Sequence, residues 1–238
     1  MTVGVMIAKM SEGLGRTCGI FGLTLLFSLP LGLAVAFLRM SKVRLVKYIA
    51  QVYISILRGT PLMLQLLVVA YGPFYISHGI AALPGFAAFA EKYPYLAWLG
   101  TFGVSRNKLI PIIVAYSLNY AAYFAEIYRG GILSMPVGQY EAASVLGYTK
   151  SQTFLRIILP QVVKRILPAV TNEIITLVKD TSMAFTVAYQ EMFSIGKSIS
   201  NSQSSFMPFV IAGVFYYVFN AIVSAVMNGV EKKLDYYR

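Results

Sequence analysis

The chain has 238 residues, of which 58% are apolar and 12% charged, with 20 Lys and Arg against 9 Asp and Glu. Disorder is excluded, because it needs few apolar residues and many charges, and an ordinary soluble domain of this size cannot hide so much apolar surface. A membrane protein remains, and in that class the net charge of +11 reports orientation rather than nucleic acid, since Lys and Arg are retained in cytoplasmic loops.

Crossing a bilayer core of about 30 Å takes about 20 apolar residues. Five charge-poor runs approach that length: 17–38, 60–77, 109–128, 166–187 and 207–228. None alternates apolar with polar residues, as barrel strands do, so all five are expected as helices. The first is too long for a secretory signal and lacks a small-residue cleavage site, so it reads as an uncleaved anchor. Its lone cysteine, Cys18, cannot form an internal disulfide or a metal cage.

After the first span, Arg44, Lys47, Gln51, Ser55 and Arg58 follow at intervals of three and four, which gathers them on one helical face. An amphipathic helix lying in the membrane interface is expected over 44–58. The alternative, a second span that starts near Val46, would put Arg58 near its middle, at about 2.5–3.5 kcal/mol. The second span carries a single amide, Gln65. Segment 78–108 follows as a loop with His78, Pro84, Gly85, Pro94 and Trp98.

The third span places Asn119, Tyr123 and Glu126 on one face, with Ala121 and Ala125 permitting close helix contact. Glu126 lies one turn from Arg129, which predicts an ion pair. Five spans put the termini on opposite sides of the membrane. Segments 39–58 and 129–165 and the tail from Lys232 hold thirteen of the 20 Lys and Arg. That side is therefore cytoplasmic, with the N-terminus outside and the C-terminus inside.

Loop 129–165 is the most ordered-looking connection. Pro136 suits the first turn of a helix, and Gly147 suits a left-handed corner after it. Thr149 and Gln152 have the spacing of a capping box that opens a second helix, and Pro160 falls where that helix should end or kink. So ordered a loop reads either as a docking surface for a cytoplasmic partner or as a plain connector.

The fourth span is strongly polar, with Asn172, Glu173, Thr176, Lys179, Asp180, Thr181 and Ser182. Glu173, Thr176 and Asp180 share a face. Such a face lines a cavity or meets another protein surface rather than lipid. Asp180 then either contacts cargo or pairs with a Lys or Arg that holds the bundle together. The fifth span repeats polar residues at Asn220, Ser224 and Asn228, the pattern of an interhelical hydrogen-bond seam.

Enzyme patterns are missing from the sequence. It holds no phosphate-loop motif, no H-E-x-x-H, no G-x-S-x-G and no paired metal-ligand spacing.

Glu141-Ala142-Ala143, then Gly147, then Ile157-x-Leu159-Pro160, resembles the signature loop of bacterial ABC-importer permease subunits, and each position matches at its proper spacing. Arg58-Gly59-Thr60-Pro61, Ala125-Glu126-Ile127-Tyr128-Arg129-Gly130-Gly131-Ile132, Pro160-Gln161 and Lys179-Asp180-Thr181-Ser182 resemble the polar amino acid group within it. The likeness covers about Gly13 to Met227, and segment 78–108 is long for the group.

The resemblance implies an all-α integral membrane fold over 1–238, a single permease domain. Five transmembrane helices are joined by an interfacial amphipathic helix and cytoplasmic coupling helices. It implies Glu141, Ala142, Ala143, Gly147, Ile157, Leu159 and Pro160 as the coupling set. The partners implied are a cytoplasmic ABC ATPase dimer, an extracytoplasmic amino acid-binding protein, a second permease chain and the bacterial inner membrane, with no nucleic acid. ATP and Mg would belong to the ATPase, leaving this chain without a cofactor and without catalytic residues. The residues proposed for the substrate path are Asp180, Thr181, Ser182, Thr176, Glu173, Asn119 and Gln65. Set against an ATP-driven importer stand a passive channel, a membrane-embedded enzyme and an assembly factor. A channel predicts conduction without ATPase partners, an enzyme needs a catalytic pair that the sequence does not supply, and an assembly factor leaves the polar fourth span unexplained.

Overall fold

The computed structural model describes residues 1–81, 92–94 and 108–234. Most of segment 78–108, with Pro84, Gly85 and Trp98, lies outside the described residues, as does Arg238. The described elements are helices: α1 (Val3–Arg39), α2 (Arg44–Gly59), α3 (Leu62–Ala81), α4 (Leu109–Leu133), α5 (Val137–Val145), α6 (Lys150–Gln152), α7 (Leu159–Asp180), α8 (Met192–Gln203) and α9 (Met207–Leu234).

Among the described residues, α1, α4 and α9 are long and apolar enough to cross a membrane. The pair α2 and α3 adds a fourth candidate if it counts as one broken span, bent by 110°. α7 does not join them, because its polar face holds down its mean hydropathy. The count of five spans expected from the sequence is thus coarser here, at three to four.

The first helix begins far earlier than its apolar run, at Val3 rather than Thr17. Its buried residues Met10, Gly13, Thr17, Ile20, Thr24, Ser28 and Gly32 recur every three or four positions, a narrow stripe of mostly small side chains. The later part of that stripe meets α4, and at Gly32 a Cβ would come within 2.8 Å of the Phe124 Cβ and 3.0 Å of the Ala121 carbonyl oxygen. Only glycine allows the two backbones so close. The other half of α1 packs Met6 and Met10 against Met192, Ile199 and Ile211, forming a second, smaller core.

In α2 the polar residues are exposed, but so are Leu45, Tyr48 and Ile49, while Ala50 and Ile54 are buried. A helix exposed on both a basic and an apolar face fits the interfacial reading. It stops at Thr60, which is extended (φ −120°, ψ 148°) as a residue before proline must be. The turn strands the last carbonyls of α2. The Gln65 amide donates to the Leu57 oxygen (2.9 Å), the Thr60 oxygen (3.1 Å) and Thr60 Oγ1 (2.8 Å). Asn119 Nδ2 donates to the Leu57 oxygen (3.0 Å) and to Gln65 Oε1 (2.9 Å).

The central helix is α4. Tyr116, Tyr120, Phe124 and the alanines 115, 121, 122 and 125 are buried, and the main core gathers around the aromatics with Leu66, Ile174, Leu177 and Val178.

Candidate functional site

Two polar regions stand out, one at each end of α7. At one end lies the loop from Ser134 to Pro160. Pro136 precedes α5, and Gly147 ends it with φ 78°, the left-handed backbone expected of that glycine. Tyr148 N donates to the Ala143 oxygen (3.0 Å) and Gly147 N to the Ser144 oxygen (3.0 Å), the paired bonds of a Schellman end. Thr149 and Gln152 form the full capping box, each side chain accepting from the other residue's backbone N–H.

The second helix differs from expectation. It does not stop near Pro160 but runs on into α7 through a π-helical stretch, Thr153–Ile158. Proline has no N–H to give and is tolerated in the first turn of a helix. The wider π turn ends just before it, and Pro160 opens α7 instead of closing α6.

The residues of the loop divide cleanly. Ala143 and Ile158 are buried, and Ile158 forms a small core with Met135 and Val162. Glu141, Ala142 and Gly147 are exposed. At the corner, Val145 is 88% and Leu146 74% exposed, with Val137 at 69% on the same short helix. So much bare apolar surface beside an exposed carboxylate has the character of a docking face. Ile157 and Pro160 face a groove of about 340 Å³ that Arg156, Lys164 and Leu234 also line.

At the other end of α7, the helix tightens into a 3₁₀ segment, Thr181–Val187. Asp180 sits at the junction and is half-buried. Tyr120 Oη donates to Asp180 Oδ2 (2.7 Å), and Tyr116 Oη donates to the Asp180 carbonyl oxygen. Among the described residues, the Asp180 carboxylate takes its side-chain hydrogen bond from a phenol. Glu173 lies two turns back on the same face of α7 and is half-buried, Thr176 is exposed, and Ser182 Oγ donates back to the Lys179 oxygen (2.8 Å). Thr181 is buried and bonds to the Val178 oxygen (2.7 Å). Across from this face, the Arg58 guanidinium stacks 5.2 Å from the centroid of the Tyr123 ring.

The sequence-proposed path residues are therefore not all brought together. Asp180, Glu173, Thr176 and Ser182 lie on α7 and its extension, whereas Gln65 and Asn119 are buried in the α2–α3 bend. Glu126 is bound to Arg129 by Nε (3.1 Å to both oxygens) and Nη2 (2.6 Å), as the spacing predicts.

One functional-looking residue escaped the sequence reading. Glu191 is fully buried between the polar end of α7 and α8. Its oxygens accept from Phe193 N (2.6 Å), Ser194 N (2.7 Å) and Tyr216 Oη (3.1 Å). Burial pushes its carboxyl up to about 7, against the pull of those donors. The available signal was an acid directly before a helix whose first turn has no other cap.

Comparison with known proteins places the chain in a family. The profile of the family described as binding-protein-dependent transport system inner membrane component matches residues 28–236. An L-cystine transport system permease of Bacillus subtilis is 33% identical over 96% of this chain and 87% of its own length. An arginine transport system permease of the same organism is 33% identical over 94% of this chain and 91% of its own. An octopine transport permease of Rhizobium radiobacter is 35% identical over 86% of this chain and 79% of its own. A solved amino acid ABC transporter with histidines superposes with a TM-score of 0.77 at 27% identity, over 98% of this chain and 100% of that one. The MetNI methionine ABC transporter in an inward-facing form gives 0.69 at 16% identity, over 98% of this chain and 99% of that one, a likeness of fold.

Proposed function

The chain belongs to the family of inner membrane components of binding-protein-dependent transport systems, and from that premise we propose that it is the permease subunit of an ATP-driven importer for a polar amino acid. The observation that carries the reading is the exposed apolar corner of α5, Val145 and Leu146, held out by the left-handed Gly147. An ABC ATPase dimer docks on that corner and on Glu141, with Ala142, Ala143, Ile157, Leu159 and Pro160 shaping the support.

In this reading residues 1–238 form one permease domain with five spans, counting α3 and α7 with α1, α4 and α9. The N-terminus is outside and the C-terminus cytoplasmic, in the inner membrane of a bacterium. A second permease chain, identical or related, completes the path, and covers the polar face that α7 would otherwise offer to lipid. An external binding protein delivers cargo at the outer end. ATP and Mg act on the ATPase.

The chemistry of the α7 face suits such cargo. An amino acid presents an ammonium and a carboxylate. Asp180, already oriented by Tyr120, offers a carboxylate for the first. Glu173, Thr176, Thr181 and Ser182 add oxygens along the same helix, and Gln65 and Asn119 shape the wall by fixing the α2–α3 bend. Cycles of ATPase closure would move α5 and reorient α7, which is a coupling between two separate sites.

The test is co-expression with the ATPase and binding protein, reconstitution into vesicles, and uptake of labelled L-cystine and L-arginine, the cargo of the named relatives. ATP-dependent uptake of a polar amino acid is expected. Flux that persists without the ATPase would instead make the chain a passive channel. Gly147→Val forces a branched side chain into a left-handed backbone, at about 1–2 kcal/mol. Uptake should fall while the protein still inserts, and normal uptake by a well-assembled complex would remove the docking role.

A further inference from the structure

The coupling corner is tied to α7 by one polar connection that the signature loop does not include. Gln139 on α5 and Gln161 on α7 face each other in a reciprocal amide pair. Gln139 Nε2 donates to Gln161 Oε1 (2.9 Å) and Gln161 Nε2 donates to Gln139 Oε1 (2.7 Å). Gln161 Nε2 also donates to the Ile157 oxygen (2.8 Å).

The position of that third bond matters. Ile157 belongs to the π-helical stretch, and Pro160 follows with no N–H to offer. A π turn inside a helix interrupts the regular backbone ladder and recurs at functional sites. A single side chain thus braces the irregular turn and holds the short helix above it. Arg165 Nη1 adds a bond from α7 to the Ser134 oxygen (2.6 Å), but it anchors the chain before α5 begins, not α5 itself.

We propose that the Gln139–Gln161 pair is the strap through which displacement of α5 is passed to α7, and so to the face that carries Thr176 and Asp180. This rests on the reading of α5 as the ATPase dock. Without the strap, α5 keeps its buried Ala143, and Met135 just before it keeps its apolar contact with Ile158 and Val162, but apolar contact is non-directional and does not fix a register. The amide pair is directional and fixes its register against α7. Its oxygens and hydrogens match only when both side chains are present, so each glutamine is a positioning residue for the other.

The experiment uses the full complex of permease, ATPase and binding protein in vesicles, with Cys18→Ser as background and Ala169→Cys, at an exposed position on the Glu173 and Asp180 face, as reporter on α7. N-ethylmaleimide labelling of the reporter is timed with and without ATP and vanadate, alongside ATP hydrolysis and the amount of ATPase that co-purifies. In the reporter protein, the labelling rate should change on trapping the ATPase. Gln161→Leu should still co-purify with the ATPase, yet its trapping-dependent change should shrink by about five-fold or more, the scale of an allosteric coupling. The double variant Gln139→Glu with Gln161→Lys replaces the amide pair by an ion pair and should regain most of the response, which a merely misfolded Gln161→Leu would not predict.

A full response in Gln161→Leu, or loss without regain in the double variant, overturns the strap and leaves the docking reading standing. A reporter protein that does not co-purify with the ATPase, or does not respond to trapping, overturns the docking reading itself, and the strap with it.

Discussion

The helices α4 and α9 are built from nearly the same residue types, and the fold uses them in opposite ways. Over its most apolar stretch, α4 is 67% buried and α9 only 17%. On α4, alanines at 121, 122 and 125 let α1 and α2 approach while Tyr116, Tyr120 and Phe124 fill the spaces between. On α9, Val214, Tyr217, Val218, Ile222 and Val226 stand open. Apolarity alone does not separate a core helix from one that faces lipid or another chain. The size of the side chains does, because small residues bring backbones together and large ones hold them apart.

Each of the two helices also carries one phenol that bonds to a carboxylate, Tyr120 to Asp180 and Tyr216 to Glu191. For α9 that bond at one end and the Thr171–Glu231 bond (2.7 Å) at the other are polar ties to the rest of the molecule. α4 would stay in place without its phenol, whereas α9 leans on its ties.

The sharpest way to break the comparison is at the α1–α4 contact. Gly32→Val places carbon into the Phe124 Cβ and the Ala121 oxygen, and should destabilise the fold by about 3 kcal/mol, the upper range for overpacking. Membrane yield and thermal unfolding of the purified protein report it, and an unchanged unfolding midpoint would refute the contact.

Next in size is the acid beneath α9. The Glu191 carboxyl holds its proton in the fold up to about pH 7, against an ordinary value of 4.5. Its contribution is therefore full below pH 4.5 and is lost as pH rises through 7, amounting to at most about 3 kcal/mol. Thermal stability of the detergent-purified chain should fall between pH 5 and pH 8. Glu191→Gln should flatten that slope, and a slope that persists in the variant would assign it to another group.

A smaller effect is expected of Tyr120→Phe, which removes the donor to Asp180 at about 1 kcal/mol. Uptake should fall more than stability does, and unaltered uptake would detach Asp180 from transport. The smallest effect belongs to the open helix. A Cβ on Gly213 of α9 meets nothing within 4 Å, so Gly213→Ala should shift the single chain by less than about 0.5 kcal/mol. If it weakens assembly of the complex in gel filtration, the open face of α9 is where the second permease chain sits.

Much of this architecture was legible in the residues. The two-faced helix α2, the Gly147 corner, the Thr149–Gln152 box and the Glu126–Arg129 pair each follow from local spacing, which acts over one or two turns. What was not legible depends on distant partners. Pro160 read as a stop because nothing local announces the π turn that precedes it. The face Asn119, Tyr123, Glu126 drew attention, yet Tyr120, about a hundred degrees around α4, is the residue that reaches Asp180. Gln65 and Asn119 were legible as intramembrane amides, but the acceptor they share, the Leu57 carbonyl at the α2–α3 bend, is set by the fold rather than by local spacing. Glu191 went unnoticed because its cap and its phenol are 25 residues apart.

The contact between α1 and α4 also has a schedule. Nearly a hundred residues separate the end of α1 at Arg39 from the end of α4 at Leu133. At about 5–20 residues per second, the ribosome needs about 5–20 seconds to make them. Throughout that wait Thr24, Ser28 and Gly32 have no α4 to lie against, and Thr17, which accepts from Met192 N, has no α8. Thr17 turns its hydroxyl back to the Gly13 oxygen (3.1 Å) and so stands ready for lipid. Among the described residues, Thr24 Oγ1 and Ser28 Oγ are buried without partners in the finished fold. Residues of this size are thus selected twice: they must be harmless while alone and close enough once their partner is delivered.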